Sequence, residues 1–384
     1  MYRKLLCVSM IILFIFGLLP NFAYASDLTL ESASAILIDA DSGKILFEKN
    51  SHDRRAPASV TKLMTLLVAI EAIKDGRGSY DDIVVASENA WRLGGSQIYL
   101  EPGEEMSLKE LLIAIAVGSA NDACVAVAEH LFGTHEAFVE VMNNKARELG
   151  LNDSMFINSY GLPAEDHYTS AYDIAQIGRA ALKHEEILQL TTIKHYRLRE
   201  NTKNPFQLDN TNKLLWWYKG ADGFKTGWIG EDSGFCLAST AEKEGLRLIS
   251  VVLGAPQRNG NFRDSMMLYN HGFASYQYKE FLKEGQEVTE LKIGKGNQDF
   301  ITGVTNEKVG LILPKGKVEG FTTQLEIAPI IHAPVEKGQV VGKISIFKEN
   351  EIIKQFDIVA KESVAKGSIW RQYKKLFRDI VDFD

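Results

Sequence analysis

Ser59 and Lys62 stand three residues apart in the segment Ser59-Val60-Thr61-Lys62. At a helix start that spacing puts both side chains on one face and within hydrogen-bond reach of each other. A serine hydroxyl is a poor nucleophile at neutral pH, and a neighbouring amine kept neutral by its surroundings can take its proton. The helix N-terminus would favour an anion developing near Ser59. Alone the pair says little, because a serine near a helix start is usually a cap and a lysine three residues on is usually exposed.

Two further groups carry chemistry. In Ser119-Ala120-Asn121, between two expected helices, Ser119 can pass a proton between Lys62 and a leaving group, and the Asn121 amide can hold a substrate peptide or Lys62. Capping would account for Ser119 but not for Asn121. In Lys225-Thr226-Gly227, on an expected strand, the lysine offers charge and the threonine a hydroxyl to a carboxylate, and Gly227 leaves room for a peptide against the strand edge. A lysine pointing off an edge strand into solvent is the plain alternative.

These groups need positioning elements. Residues 34 to 48 read as a hairpin about the turn Asp41-Ser42-Gly43. An apolar helix is expected after Pro57-Ala58-Ser59, with Leu63, Leu66, Leu67, Ile70 and Ile73 on its buried side. A central helix begins at Ser107, capped with Glu110, and two more cover about 120 to 131 and 136 to 149. Three strands follow at 224–226, 234–239 and 246–253, then a helical stretch from Ser265 to Tyr276. The expectation is α/β, an antiparallel sheet covered by helices and completed by the N-terminal hairpin. Past about residue 282, β-prone runs at 288–293, 309–313, 322–327 and 340–347 predict a small all-β, sandwich-like domain.

The two chain ends carry localisation signals. Arg3 and Lys4 precede an apolar run from Leu5 to about Leu19, and Ala23-Tyr24-Ala25 offers a cleavage site before Ser26. Residues 1–25 are therefore expected to be a secretory signal, with a retained anchor as the alternative. From Ile369 to Phe383, Ile369, Trp370, Tyr373, Leu376, Phe377, Ile380 and Val381 recur at helical spacing, opposite Arg371, Lys374, Lys375 and Arg378. This predicts an amphipathic helix over about 367–384, lying on a membrane surface or docked on the β domain. Cys124 and Cys236 sit in apolar contexts and read as buried thiols, although one bridge is conceivable. With a formal net charge of −7 and scattered cations, nothing suggests a nucleic-acid partner.

Serine-x-x-lysine, serine-x-asparagine and lysine-threonine-glycine, in this order, form a known signature of penicillin-binding proteins and class A β-lactamases. The chain resembles the low-molecular-mass penicillin-binding proteins that act as D-alanyl-D-alanine carboxypeptidases. The likeness runs through PASVTKLMT around Ser59, VGSANDACVAVAEH around Ser119, GLPAEDHYTSAYDIAQIGRAAL from Gly161 to Leu182, DGFKTGW at Asp222 to Trp228, and the β domain. It implies a serine β-lactamase/transpeptidase-like fold with a catalytic domain over 26–275 and a β-rich domain over 282–365. Ser59 would be the nucleophile and Lys62 the general base, Ser119 and Asn121 would relay protons and orient substrate, and Lys225 and Thr226 would bind the terminal carboxylate. The backbone N–H groups of Ser59 and Trp228 would form the oxyanion hole.

Trp228 stands where relatives often have histidine, and Thr211 of Asn210-Thr211-Asn212 where some have arginine. Arg263 looks like another carboxylate-side arginine of the family. His167 and Asp173 lie in the active-site border, with His167 read as structural.

The implied reaction removes the terminal D-alanine of peptidoglycan stem peptides without metal or organic cofactor, and β-lactams would acylate Ser59. The implied location is exported, on the outer face of the cytoplasmic membrane. DD-endopeptidase or transpeptidase activity is the near alternative; a β-lactamase or a non-catalytic wall-binding protein fits less well. No class A-type glutamate motif lies between Ser119 and Lys225.

Overall fold

The computed structural model describes residues 28–231 and 233–374. The expected signal at 1–25 and the tail beyond residue 374 lie outside the described residues.

Five antiparallel strands form the central sheet: β1 (Ser34–Asp39), β2 (Ile45–Lys49), β3 (Ala221–Gly227), β4 (Phe235–Lys243) and β5 (Leu246–Ala255). Their order is β2-β1-β5-β4-β3, so the hairpin does complete the sheet and β3 is left at an edge. Strand alternation divides the interior in two. In β1, Ile36 and Ile38 face a large helical core, while Ala35 and Leu37 face a smaller core on the other side. In β5, Ile249, Val251 and Leu253 face the first core and Leu248 and Val252 the second.

The large core is filled by α1 (Lys62–Lys74), α2 (Leu108–Ile113), α3 (Asn121–Phe132), α4 (His135–Glu148), α5 (Ala171–Ala181) and α6 (Glu185–Thr191). The opposite face is covered by α7 (Gly260–Ser275). α1 is more central than one apolar stripe suggests: every residue from Lys62 to Ile70 is buried, whereas Ile73 is only partly so. Ser107 caps α2 by accepting from the Glu110 N–H, as the spacing predicts. α2 then widens into a π turn over Ala114–Gly118, which ends with Ser119 in a left-handed conformation (φ 60°). Such turns recur at functional sites. Cys124 and Cys236 are buried free thiols.

The C-terminal part is β-rich: β6 (Tyr276–Leu282), β7 (Glu287–Gly294), β8 (Phe300–Thr305), β9 (Val309–Pro314), β10 (Phe321–Ile327), β11 (Ile331–His332), β12 (Val340–Lys348) and β13 (Glu351–Ala360). Six strands run in the order β10-β12-β13-β8-β7-β11, with β6 and β9 as a separate pair. Between the two parts of the chain, Lys315 N donates to Ser275 O, and Tyr278 and Ile312 pack against the smaller core. Of the expected tail helix, residues 369–374 are described as helical, with Ile369, Trp370 and Tyr373 exposed. That stretch is too short to present an amphipathic face. No helix of the described residues is long and apolar enough to cross a membrane.

Candidate active site

Ser59 lies not in an α-helix but in a 3-10 turn, Ala58–Thr61, that leads into α1. Residues i and i+3 eclipse in such a turn, which aligns Ser59 with Lys62 more closely than an α-helical start would. Ala58 adopts a left-handed backbone (φ 49°), and the turn is wedged between two close-fitting glycines. A Cβ on Gly161, at φ +87°, would fall 2.0 Å from Ala58 O; one on Gly227 would lie 3.0 Å from Ser59 N. The end of edge strand β3 therefore abuts the backbone of Ser59.

Lys62 Nζ stands 3.1 Å from Ser59 Oγ, 2.7 Å from Asn121 Oδ1 and 2.5 Å from Tyr160 O. The side chain is fully buried, and that desolvation brings the amine down to about 8. Neutral, it has two N–H groups for Asn121 Oδ1 and Tyr160 O and a lone pair for the Ser59 hydroxyl hydrogen. Asn121 is itself fixed, its Nδ2 donating to Gly94 O and its backbone N–H to Ser96 O, each at 2.7 Å. Next to it, the buried Asp122 carboxylate accepts from the N–H groups of Ile98 and Leu100, anchoring the 98–100 loop to α3.

On β3, Lys225 is buried and its Nζ donates to Thr226 O at 3.3 Å. Burial first, and then the charge of Lys62, lower its amine to about 7. Thr226 Oγ1 is 2.6 Å from Thr211 Oγ1. The flanking asparagines serve the backbone: Asn210 Nδ2 donates to Thr191 O and Ile193 O, and Asn212 Nδ2 to Gly223 O, leaving Thr211 presented between them.

Ser59, Ser119, Thr211, Thr226, Gly227 and Trp228 line one cleft of about 400 Å³. Trp228 is 59% exposed and stacks on Phe235 with ring centroids 5.9 Å apart. Arg263 is not in the lining. It pairs instead with Glu31 at 2.9 Å and Gln257 at 3.3 Å on the surface, and the arginine that lines the cleft is Arg258, just before α7. The sequence reading also missed Lys213, Phe235 and Phe262 in the lining and the Tyr160 carbonyl at Lys62. No motif marks a backbone carbonyl, and Arg258 and Arg263 flank the same helix start with nothing in their spacing to separate them.

His167 and Asp173 brace the site from outside. His167 Nδ1 accepts from Ile157 N–H at 3.0 Å, so Nε2 carries the hydrogen and donates to Thr61 Oγ1, also at 3.0 Å. Asp173 Oδ2 accepts from Asp153 N and Ser154 Oγ. Among the described residues no cluster of His, Cys, Asp or Glu is arranged to hold a metal ion.

A buried lysine amine beside a serine hydroxyl, next to an open strand edge with paired hydroxyls, suits acyl transfer from a peptide lying along that edge. The family model described as D-alanyl-D-alanine carboxypeptidase matches residues 21–257, and that of the penicillin-binding protein 5 C-terminal domain matches residues 276–366. The chain is 41% identical over 359 residues to the D-alanyl-D-alanine carboxypeptidase DacF of Bacillus subtilis, covering 93% of this chain and 92% of that one. It is similar to the crystal structure of penicillin binding protein 5 from Haemophilus influenzae, at 30% identity and a TM-score of 0.69 over 88% of this chain and 98% of that one. The ampicillin-bound penicillin-binding protein D2 of Listeria monocytogenes matches 64% of this chain and 99% of its own, at 29% identity and a TM-score of 0.58.

Proposed function

The chain belongs to the D-alanyl-D-alanine carboxypeptidase family, and on that premise we propose that it removes the terminal D-alanine of peptidoglycan stem peptides through an acyl-enzyme on Ser59. The observation that carries this reading is the placement of the buried Lys62 amine, lowered to about 8, at 3.1 Å from Ser59 Oγ.

Lys62 takes the Ser59 hydroxyl proton as Oγ attacks the carbonyl carbon of the penultimate D-alanine. The tetrahedral oxyanion is held by the backbone N–H groups of Ser59 and Trp228, a role supported by the close fit of Gly227 against Ser59 N. The carbon–nitrogen bond then breaks, and the terminal D-alanine leaves with a proton passed from Lys62 through Ser119. Asn121 holds Lys62 throughout, while Thr226 and Lys225 orient the terminal carboxylate. Water, deprotonated by Lys62, attacks the ester carbon; the bond to Oγ breaks, the proton returns to Ser59, and the shortened stem is released. β-Lactams acylate Ser59 because their strained amide and carboxylate mimic the D-Ala-D-Ala end.

Residues 1–25 act as an export signal, 26–275 as the catalytic domain and 282–365 as a stalk. Residues 367–384 rest on the outer face of the cytoplasmic membrane, a placement supported by the exposure of Ile369, Trp370 and Tyr373. Flotation with anionic vesicles, with and without residues 369–384, tests this attachment; equal flotation of both proteins rules it out.

The test of the activity is D-alanine release from a peptide ending in D-Ala-D-Ala by the signal-free protein and its Ser59→Ala variant. Release should be lost in the variant. A folded wild-type protein that releases none overturns the reading.

A further inference from the structure

A second groove, of about 980 Å³, adjoins the catalytic cleft. The same two segments wall both. Ser96 and Asp209 line the cleft, whereas Ile98 and Tyr99 on the first segment and Phe206 on the second line the groove.

The backbone at Tyr99 is held in a costly conformation from two sides. Its φ is 57°, a left-handed geometry that costs an aromatic residue on the order of 1–3 kcal/mol and persists only where the surroundings impose it. From below, the Asp122 carboxylate accepts from the N–H groups of Ile98 and Leu100, both at 3.1 Å. From above, Arg199 donates to Ile98 O at 2.9 Å and to Tyr99 O at 3.5 Å, and its guanidinium is clamped by both Glu104 oxygens, at 2.6 and 3.1 Å. Yet Tyr99, which this clamp holds, is 66% exposed, its ring meeting Phe206 edge-on at 5.9 Å. A core role would bury the ring; a fixed and exposed ring presents a face to a ligand.

The chemistry of the groove selects the ligand. With Arg199 and Glu104 paired, and the Thr202 hydroxyl donating to Arg199 O and accepting from Asn204 N, the polar groups left to the rim are Glu101, Glu105, Lys203 and the Asn204 amide. The rim is thus mixed in sign, with two carboxylates that accept from hydroxyls, one ammonium that donates and one amide that does both. It suits an uncharged, polyhydroxylated ring that sets its C–H face on an aromatic and its hydroxyl and acetamido groups on a polar rim. The stem peptide is carried by such rings, and Ser96 at the cleft and Ile98 at the groove are only two residues apart, at most ~8 Å between Cα atoms, a distance that a few extended peptide residues span.

We propose that the groove between residues 98–105 and 199–206 binds the amino-sugar strand to which the stem peptide is attached, with Tyr99 as its stacking platform. This rests on the carboxypeptidase reading and extends it from the peptide to the polymer.

The test compares wild type, Tyr99→Phe and Tyr99→Ala on two substrates with the same peptide end, a short acetylated peptide and the stem on its disaccharide. Tyr99→Ala should raise KM for the disaccharide substrate about tenfold and that for the short peptide less than twofold, and Tyr99→Phe should behave as wild type. An equal loss on both substrates, or no loss on either, overturns the proposal. Chitin strands, which are uncharged N-acetylated amino-sugar polymers without stems, give a readout free of catalysis: the wild type should bind them in sedimentation and Tyr99→Ala should not. Wild type that fails to bind them overturns the groove, whereas binding without D-alanine release overturns only the carboxypeptidase reading.

Discussion

Asn121 Oδ1 lies 2.7 Å from Lys62 Nζ, nearer than Ser59 Oγ at 3.1 Å. The amide thus fixes where the lysine lone pair can point, and, being neutral, it leaves the amine lowered to about 8 by burial. Acylation by a fluorescent penicillin should therefore rise with pH along a limb centred near 8, and at pH 6 run about a hundredfold below its plateau. Asn121→Asp puts an anion at the same place, favours the ammonium and should move the limb up by more than one pH unit. A pH profile unchanged by that substitution removes Lys62 as the base.

His167 gives the fold a pH dependence of its own. Burial pushes its imidazole down to about 4 from an ordinary 6.5, so between those values the unfolded chain binds a proton that the folded chain does not. Stability must then fall as pH drops through that window, by up to about 3 kcal/mol, and be unaffected by this group above it. His167→Asn should flatten the fall while costing about 1–3 kcal/mol at pH 7.5 through loss of the Thr61 link. Urea unfolding at pH 5 and 7.5 reads both effects.

Helices α1 to α4, the hairpin's place in the sheet and the three motif groups were legible because each leaves a periodic or local mark, such as the Ser107–Glu110 cap, the β-prone runs and the residues Ser59, Ser119 and Lys225, whereas α5 and α6 were not read. The turn at the nucleophile left no such mark. Ser59 sits in a 3-10 turn because Gly161 and Gly227 press on it from distant segments, a tertiary constraint that apolar spacing along α1 does not record. Strands β6, β8, β11 and β13 were also missed; β8 is interrupted by Gly303, and in β13 the charges fall at every third residue, Glu351, Lys354 and Asp357, which masks a period of two.

Gly227 carries a sharper prediction. An added methyl would sit 3.0 Å from Ser59 N, Pro57 O and Ala58 Cβ, so Gly227→Ala must shift either β3 or the 3-10 turn by a few tenths of an ångström. The variant should fold, because β3 is an edge strand, and yet acylate at least tenfold more slowly, since the oxyanion donors would be displaced. Wild-type acylation in Gly227→Ala would show that the contact between strand and turn does not set the reactive geometry.

Charge recognition in the cleft separates two arginines that the sequence could not. Lys225 is buried, turned toward Thr226 O and lowered to about 7, so near neutral pH it carries only part of a positive charge to a substrate carboxylate. Thr211 and Thr226 offer hydroxyls without charge. The exposed cations in the lining are Lys213 and Arg258, and Arg258 has no carboxylate partner among the described residues. Arg263, in contrast, is paired with Glu31 on the surface, outside the cleft. Arg258→Gln should raise KM for a peptide with a free terminal carboxylate about tenfold, the loss expected for one charge-assisted hydrogen bond, and leave its C-terminal amide unaffected. Arg263→Gln should change neither by more than about twofold, as befits a solvent-exposed pair. The reverse ranking of the two variants would assign the carboxylate to Arg263 and require α7 to turn that side chain into the cleft when substrate binds.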